Sequence, residues 1–215
     1  KIMKLLTQGG ALLRPQNKPN IENTLRVSLG AAKQMKNFIE IYKKVGLKKS
    51  KQKYALLDRD GTLIFEPPDT GQIDSLKKLK ILDGVILGLQ ALKKRGYSLI
   101  MVSNQNGLGT ASFPQKSFDA PQEKMINIFR GQGIIFDQIF ICPHRPTEEC
   151  PCRKPKTGLV DKFLRKAKVD KNLSFVCGDR KTDQQFAKNI GLRFFPMKAN
   201  GNFYTAVKSL LNKTI

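Results

Sequence analysis

YALLDRDGT, residues Tyr54 to Thr62, is a β-rich apolar run that ends abruptly in two carboxylates separated by one residue. Two acids so close together at a strand end cannot both point into a core. A merely solvated turn would not need YALL before it. Four further β-rich runs follow, YSLIMVSN, FDQIFICPH, LSFVCGD and LRFFPM, separated by amphipathic stretches. Helical periodicity fits Gly84 to Lys94, Pro121 to Gly131, Gly158 to Ala167, Thr182 to Asn189 and Phe203 to Leu211, with Gly96, Gly133 and Gly191 at the expected C-terminal ends. Alternating short strands and helices predict an α/β doubly wound domain with a parallel sheet. In such sheets ligands bind beyond the carboxyl ends of the strands, so polar residues just after each strand become the candidates.

In DRDGT the spacing has a chemical reading. Asp58 projects as nucleophile and magnesium ligand, while Asp60 hands a proton to the leaving oxygen and later takes one from water. A DxDGT is also an ordinary turn when taken alone. The second run ends in VSNQ, where Ser103 and Asn104 can hold phosphoryl oxygens. The fourth ends in GDRKTD, where Asp179 supplies a second carboxylate to Mg²⁺. CRKPK between them offers Arg153 and Lys154 to balance phosphate charge. Each turn has a bland alternative, but four at successive strand ends make a much sharper pattern.

ICPHRPTEECPCRKPK, Ile141 to Lys156, contains three of the four cysteines and the single histidine. Cys142, His144, Cys150 and Cys152 form a C-x-H then C-x-C set of soft ligands suited to one tetrahedral Zn²⁺. Four protein ligands leave no open position for water, which predicts a structural ion. Cys150 and Cys152 are too close in sequence for easy mutual bridging, which argues against a disulfide. Cys177 reads as a small buried hydrophobe.

DRDGT, VSNQ, RKPK and GDRKTD, in that order, resemble the four motifs of the haloacid dehalogenase superfamily of phosphohydrolases. The stretches SNQNGLGTASFPQKSFDAPQEKMINIF and ICPHRPTEECPCRKPKTGL resemble the histidinol-phosphate phosphatases of that superfamily, over about Lys53 to Phe195. The resemblance implies Asp58 as aspartyl nucleophile and Asp60 as general acid and base. It implies Asp58, Asp179 and the backbone carbonyl of Asp60 as Mg²⁺ ligands. Ser103 and Lys154 would steady the phosphoryl group, with Asn104 and Arg153 as further contacts, and Asp183 would orient the metal shell or cap its helix. The implied reaction is hydrolysis of L-histidinol phosphate through a phosphoaspartate. The alternatives are a related zinc-loop phosphatase acting on a heptose bisphosphate or other small phosphomonoester, and a basic nucleic-acid-binding or 3'-end phosphatase protein. The intervals between motifs leave no room for a large cap, so the flap over residues 65–75 and the zinc loop become the specificity elements.

Three segments are expected: residues 1–47, a basic linker over 48–53, and the phosphatase domain over 54–215. Within the first, LLTQGGALLRPQNKPNIENTLRVSLGAAKQ resembles the carboxyl end of histidinol-phosphate aminotransferase without that enzyme's cofactor-binding body. The start on Lys rather than Met reads as a start inside a longer product, and one histidine argues against an appended histidine-rich dehydratase. The net charge of +22 comes from 39 Lys and Arg against 17 Asp and Glu, and would help draw in a small phosphorylated substrate. Its lysines are scattered without an aromatic platform, which disfavours nucleic acid. Neither a membrane-length apolar run nor a secretory signal is evident, and the clustered cysteines suit a cytoplasmic setting. Association with other histidine-pathway enzymes is expected from the resemblance.

Overall fold

The computed structural model describes residues 51–212, with side chains as far as 208, and before them residues 13–16, 24–27, 32, 35, 36 and 38–40. The chain divides into two units, Lys1–Ser50 and Lys51–Ile215. In the first, strands β1 (Leu13–Gln16) and β2 (Thr24–Val27) pair antiparallel, and the described residues between 32 and 40 are helical. Most of the aminotransferase-like segment lies outside the described residues.

The second unit carries a parallel sheet in the order β5-β4-β3-β6-β7. Its strands are β3 (Lys53–Leu57), β4 (Tyr97–Asn104), β5 (Phe136–Cys142), β6 (Phe175–Gly178) and β7 (Arg193–Pro196). Helices α1 (Val85–Lys94), α2 (Gln115–Gly131), α3 (Gly158–Lys166), α4 (Lys181–Ile190) and α5 (Phe203–Asn212) connect and flank them. Successive strand residues point to opposite faces, and both faces are apolar. Ala55, Leu57, Leu99, Met101, Phe175 and Cys177 pack with Val85, Leu89 and Leu92 of α1, Met125 and Phe129 of α2, and Phe203 and Val207 of α5. Leu56, Ile100, Val102 and Val176 face the other way, against Val160 of α3 and Phe186 and Ala187 of α4. Burial on both faces explains why the central strands read as continuous apolar runs rather than alternating ones.

Two boundaries differ from expectation. The linker read over 48–53 loses its last residues to the domain: Gln52 bridges to Val169 and Lys53 opens β3. The Lys53 ammonium lies 5.0 Å from the Tyr97 ring centre and donates to the Arg95 carbonyl at 2.6 Å, at the C-terminal end of α1 where a cation is favoured. Helix α2 begins at Gln115 rather than Pro121, and Pro121 sits inside it. An interior proline costs a helix about 3 kcal/mol. Here Phe118, Pro121, Met125 and Phe129 form one buried stripe that offsets this cost.

The chain crosses outward from β3 to β4 and β5, then returns to place β6 on the other side of β3. That reversal makes the carboxyl end of β3 the crevice where a ligand fits. Leu57 pairs with Met101 and with Cys177, so Asp58 lies one residue beyond the level at which Ser103 and Asp179 lie two. No large domain interrupts the unit, and no described helix is long and apolar enough to cross a membrane.

Candidate active site

The turn after β3 is built by its own backbone. Leu63 and Ile64 donate to the Arg59 carbonyl at 2.8 and 3.1 Å, and Gly61 donates to the Ile64 carbonyl at 2.9 Å. Gly61 has φ +75°, and a Cβ there would come within 2.6 Å of Asp179 Oδ2. Only glycine permits both this conformation and this approach. The turn thereby aims Asp58 and Asp60 into the crevice while keeping both nearly covered.

Lys154 stands at the centre of the charges. Its Nζ is 2.6 Å from Asp58 Oδ1, 2.6 Å from Asp183 Oδ1 and 2.7 Å from the Val102 carbonyl. Burial works against the ammonium charge, but Asp58 and Asp183 outweigh it and hold the Lys154 pKa above its usual value. Asp58 keeps Oδ2 almost free, with only a 3.5 Å contact from the Thr62 hydroxyl. Burial raises the Asp60 pKa despite the Arg59 charge, which lowers it. A raised pKa suits a group that is to donate a proton.

Asp58, Asp179 and Asp183 each offer a carboxylate oxygen, and these oxygens lie within 4.8 Å of one another. Asp179 Oδ1 is buried without a hydrogen-bond partner. Burial first, and then Asp58, pushes the Asp179 pKa up to about 7 against the opposing Arg180 charge. An orphaned oxygen among crowded carboxylates fits a hard divalent cation. Asp183 also accepts the Arg180 backbone N–H at 3.1 Å, holding the first turn of α4. It therefore serves the helix and the charge cluster together.

The Cys and His loop closes as spaced. Cys142 Sγ lies 3.6 Å from Cys150 Sγ, 3.3 Å from Cys152 Sγ and 3.6 Å from His144 Nδ1; Cys152 lies 3.1 Å from His144 Nδ1 and 3.2 Å from Cys150. A tetrahedral Zn²⁺ with bonds of about 2.0–2.3 Å spaces its ligand atoms about 3.5–3.8 Å apart. The cluster is close to that size, and all four cysteines are free thiols.

The other expected contacts have more specific places. Asn104 spends its amide on the backbone of Lys154, accepting from its N–H at 3.0 Å and donating to its carbonyl at 3.1 Å. Arg153 donates to the His144 carbonyl at 3.0 Å, bracing the loop. Ser103 is buried and accepts from Gln105 Nε2 at 2.8 Å. The carboxylate of Asp60 lies outside the carboxylate trio, bound by Arg59 Nη1 and Gln105 Nε2 at 2.5 Å each. Arg59, Gln105 and Gln122 were not candidates from sequence. Gln105 has the same side of the chain as Ser103 two residues earlier, a signal available in VSNQ. Gln122 lies on a helix 63 residues from the arginine it meets, which no local spacing could reveal.

The flap over residues 65–75 is tied at its root. Asn200 exchanges two hydrogen bonds with the Glu66 backbone, and the Glu66 carboxylate pairs with Arg180.

Residues 53–198 match the family described as polynucleotide kinase 3 phosphatase. The chain is 47% identical over 161 residues to the histidine biosynthesis bifunctional protein HisB of Legionella pneumophila strain Lens, covering 75% of this chain and 46% of that protein. To the protein of the same name from Actinobacillus pleuropneumoniae serotype 3 it is 52% identical over 161 residues, covering 74% and 44%. The chain thus spans less than half the length of these relatives. Its fold is similar to the D,D-heptose 1,7-bisphosphate phosphatase of B. bronchiseptica, crystallised with magnesium and phosphate, at TM-score 0.63 and 27% identity over 74% of this chain and 87% of that one. The aminotransferase-like segment falls outside the residues that the family matches. With the strand-end carboxylates in place, the chain belongs to the polynucleotide kinase 3 phosphatase family, and it is a phosphomonoester hydrolase of the haloacid dehalogenase type.

Proposed function

We propose that this domain hydrolyses L-histidinol phosphate in histidine biosynthesis, in the cytoplasm. The observation that carries the substrate is the 47% and 52% identity to relatives named for histidine biosynthesis, well above the 27% to the heptose-bisphosphate phosphatase. Because those relatives are more than twice as long as the matched region, association with other enzymes of that pathway belongs to the same reading.

Asp58 attacks phosphorus, forming a phosphoaspartate as the bond to the leaving oxygen breaks. Asp60 gives its proton to that oxygen, then removes one from the water that attacks phosphorus and breaks the bond to Asp58. Lys154, already paired with the nucleophile, and Ser103 hold the phosphoryl oxygens. Asn104 positions Lys154, and Arg153 ties its loop to the metal clasp. Mg²⁺ held by Asp58, Asp179 and the Asp60 main-chain carbonyl would neutralise charge on the phosphoryl oxygens. Zn²⁺ on Cys142, His144, Cys150 and Cys152 would be structural, since no fourth position is left open.

Phosphate release is measured with histidinol phosphate, D,D-heptose 1,7-bisphosphate and a 3'-phosphorylated oligonucleotide, using wild type and Asp58→Asn. Mg²⁺-dependent turnover fastest with histidinol phosphate, and lost by about 10⁴-fold or more in the variant, is expected. Preference for another ester refutes the substrate. Residual turnover near wild type in Asp58→Asn refutes the nucleophile.

The family's description and the +22 charge favour a second reading, action on a nucleic-acid 3'-phosphate. The oligonucleotide arm of the same panel decides it.

A further inference from the structure

We propose that Arg59 is a positioning residue that sets the angle at which the Asp60 carboxylate meets the leaving oxygen and the attacking water. The inference rests on Asp60 being the acid and base. Arg59 is fully buried, although it lies between two residues of the active-site turn. Its guanidinium is anchored by separate partners: Nη1 on Asp60 Oδ1 at 2.5 Å, Nε on Gln122 Oε1 at 2.9 Å, and its centre 4.9 Å from the Phe118 ring centre. Phe118 and Gln122 both belong to α2, so the arginine connects the acid to a helix of the core. Gln105 binds the other Asp60 oxygen at 2.5 Å and reaches Ser103 at 2.8 Å.

One donor on each oxygen fixes the carboxylate plane, yet leaves a lone-pair position on each for the transferred proton. The neighbouring nucleophile is held by a different cation, Lys154. Two carboxylates two residues apart therefore have independent supports, as their different roles require.

Stability alone is a poor reason for this arginine. A buried ion pair seldom outperforms apolar packing of equal volume, and Arg59 Nη2 is buried without a partner. An apolar side chain could fill the space beside Phe118, but it could not direct a carboxylate.

The test uses Arg59→Met, which keeps much of the volume against Phe118, with p-nitrophenyl phosphate and histidinol phosphate as substrates. p-Nitrophenolate departs without a proton, whereas the second step needs Asp60 as base for every substrate. The expected result is a burst of about one equivalent of p-nitrophenol followed by steady turnover reduced about 10–100-fold. Histidinol phosphate, whose alkoxide needs the proton, should lose both steps and show no burst. Arg59→Lys keeps the charge without the fork and should fall between. Gln122→Leu, at a half-buried position, provides the same test with less risk to folding and should show a smaller change in the same direction. Equal loss on both substrates without a burst, or wild-type kinetics in Arg59→Met and Gln122→Leu, overturns the positioning role. A wild type inert towards both esters would instead overturn the hydrolase mechanism on which it rests.

Discussion

Two clusters of metal-competent side chains face different problems in this molecule. Asp58, Asp179 and Asp183 sit at the ends of buried strands and at the start of a helix, with Lys154 among them. Cys142, His144, Cys150 and Cys152 come from one strand end and the loop that follows it. The first is hard, crowded and charged, and no segment shorter than the whole sheet could assemble it. The second is soft and local, spanning eleven residues of sequence. The contrast shows how the fold divides its labour. Long-range packing brings the carboxylates together, while the proposed clasp lies on the loop that carries Lys154 to them. Lys154, two residues past Cys152, joins them.

The largest effect should come from cutting that link at its charged end. Lys154→Met leaves Asp58 and Asp183 buried without their cation, and breaking a buried pair from one side costs about 3–5 kcal/mol. Urea unfolding should register a loss of that size, with phosphate release abolished and zinc content unchanged. Stability equal to wild type would mean the carboxylates do not depend on the lysine.

Opening the clasp should cost less. Cys150→Ser, or removal of zinc by a chelator, should lower zinc content and reduce turnover about 10–100-fold, the scale on which supporting residues act at metal sites. Excess Mg²⁺ should not restore the activity, because the lesion is in the placement of Lys154. Metal analysis and phosphate release on the same samples check this, and unchanged zinc with unchanged turnover refutes the clasp.

The smallest change tests the joint itself. Asn104→Ala removes two hydrogen bonds to the Lys154 backbone while leaving both clusters intact. Turnover should fall about 10-fold with zinc content retained. At about 1 kcal/mol for each ordinary hydrogen bond, the stability loss should be near 2 kcal/mol. A loss of zinc in this variant would show that the two clusters are less separable than their geometry suggests.

Much of this architecture was legible because it is local. YALLD, YSLIMVSN and LSFVCGD announce buried strands by their apolar runs, and the acids after them stand out because carboxylates do not belong in a core. The cysteine spacing likewise presents its ligand set without reference to anything distant. What misled was also local. KKSKQK looks like a linker because it is basic, yet Lys53 pairs with Tyr97 in the sheet while its ammonium donates to the Arg95 carbonyl. Pro121 looks like a helix start, yet it is buried inside α2, where tertiary packing outweighs its propensity.

By itself the sequence determined the kind of sheet, the strand ends that carry chemistry, the two nearby acids and the four soft ligands, since each depends on spacing within a few residues. Only the tertiary structure decided which partner each polar group meets. It turned Asn104 towards the Lys154 backbone and Arg153 towards His144, set Lys154 between Asp58 and Asp183, and buried Arg59 against Phe118 and Gln122. Those pairings span tens of residues. A polar side chain's partner depends on which strands lie side by side, so it follows from the order of the sheet.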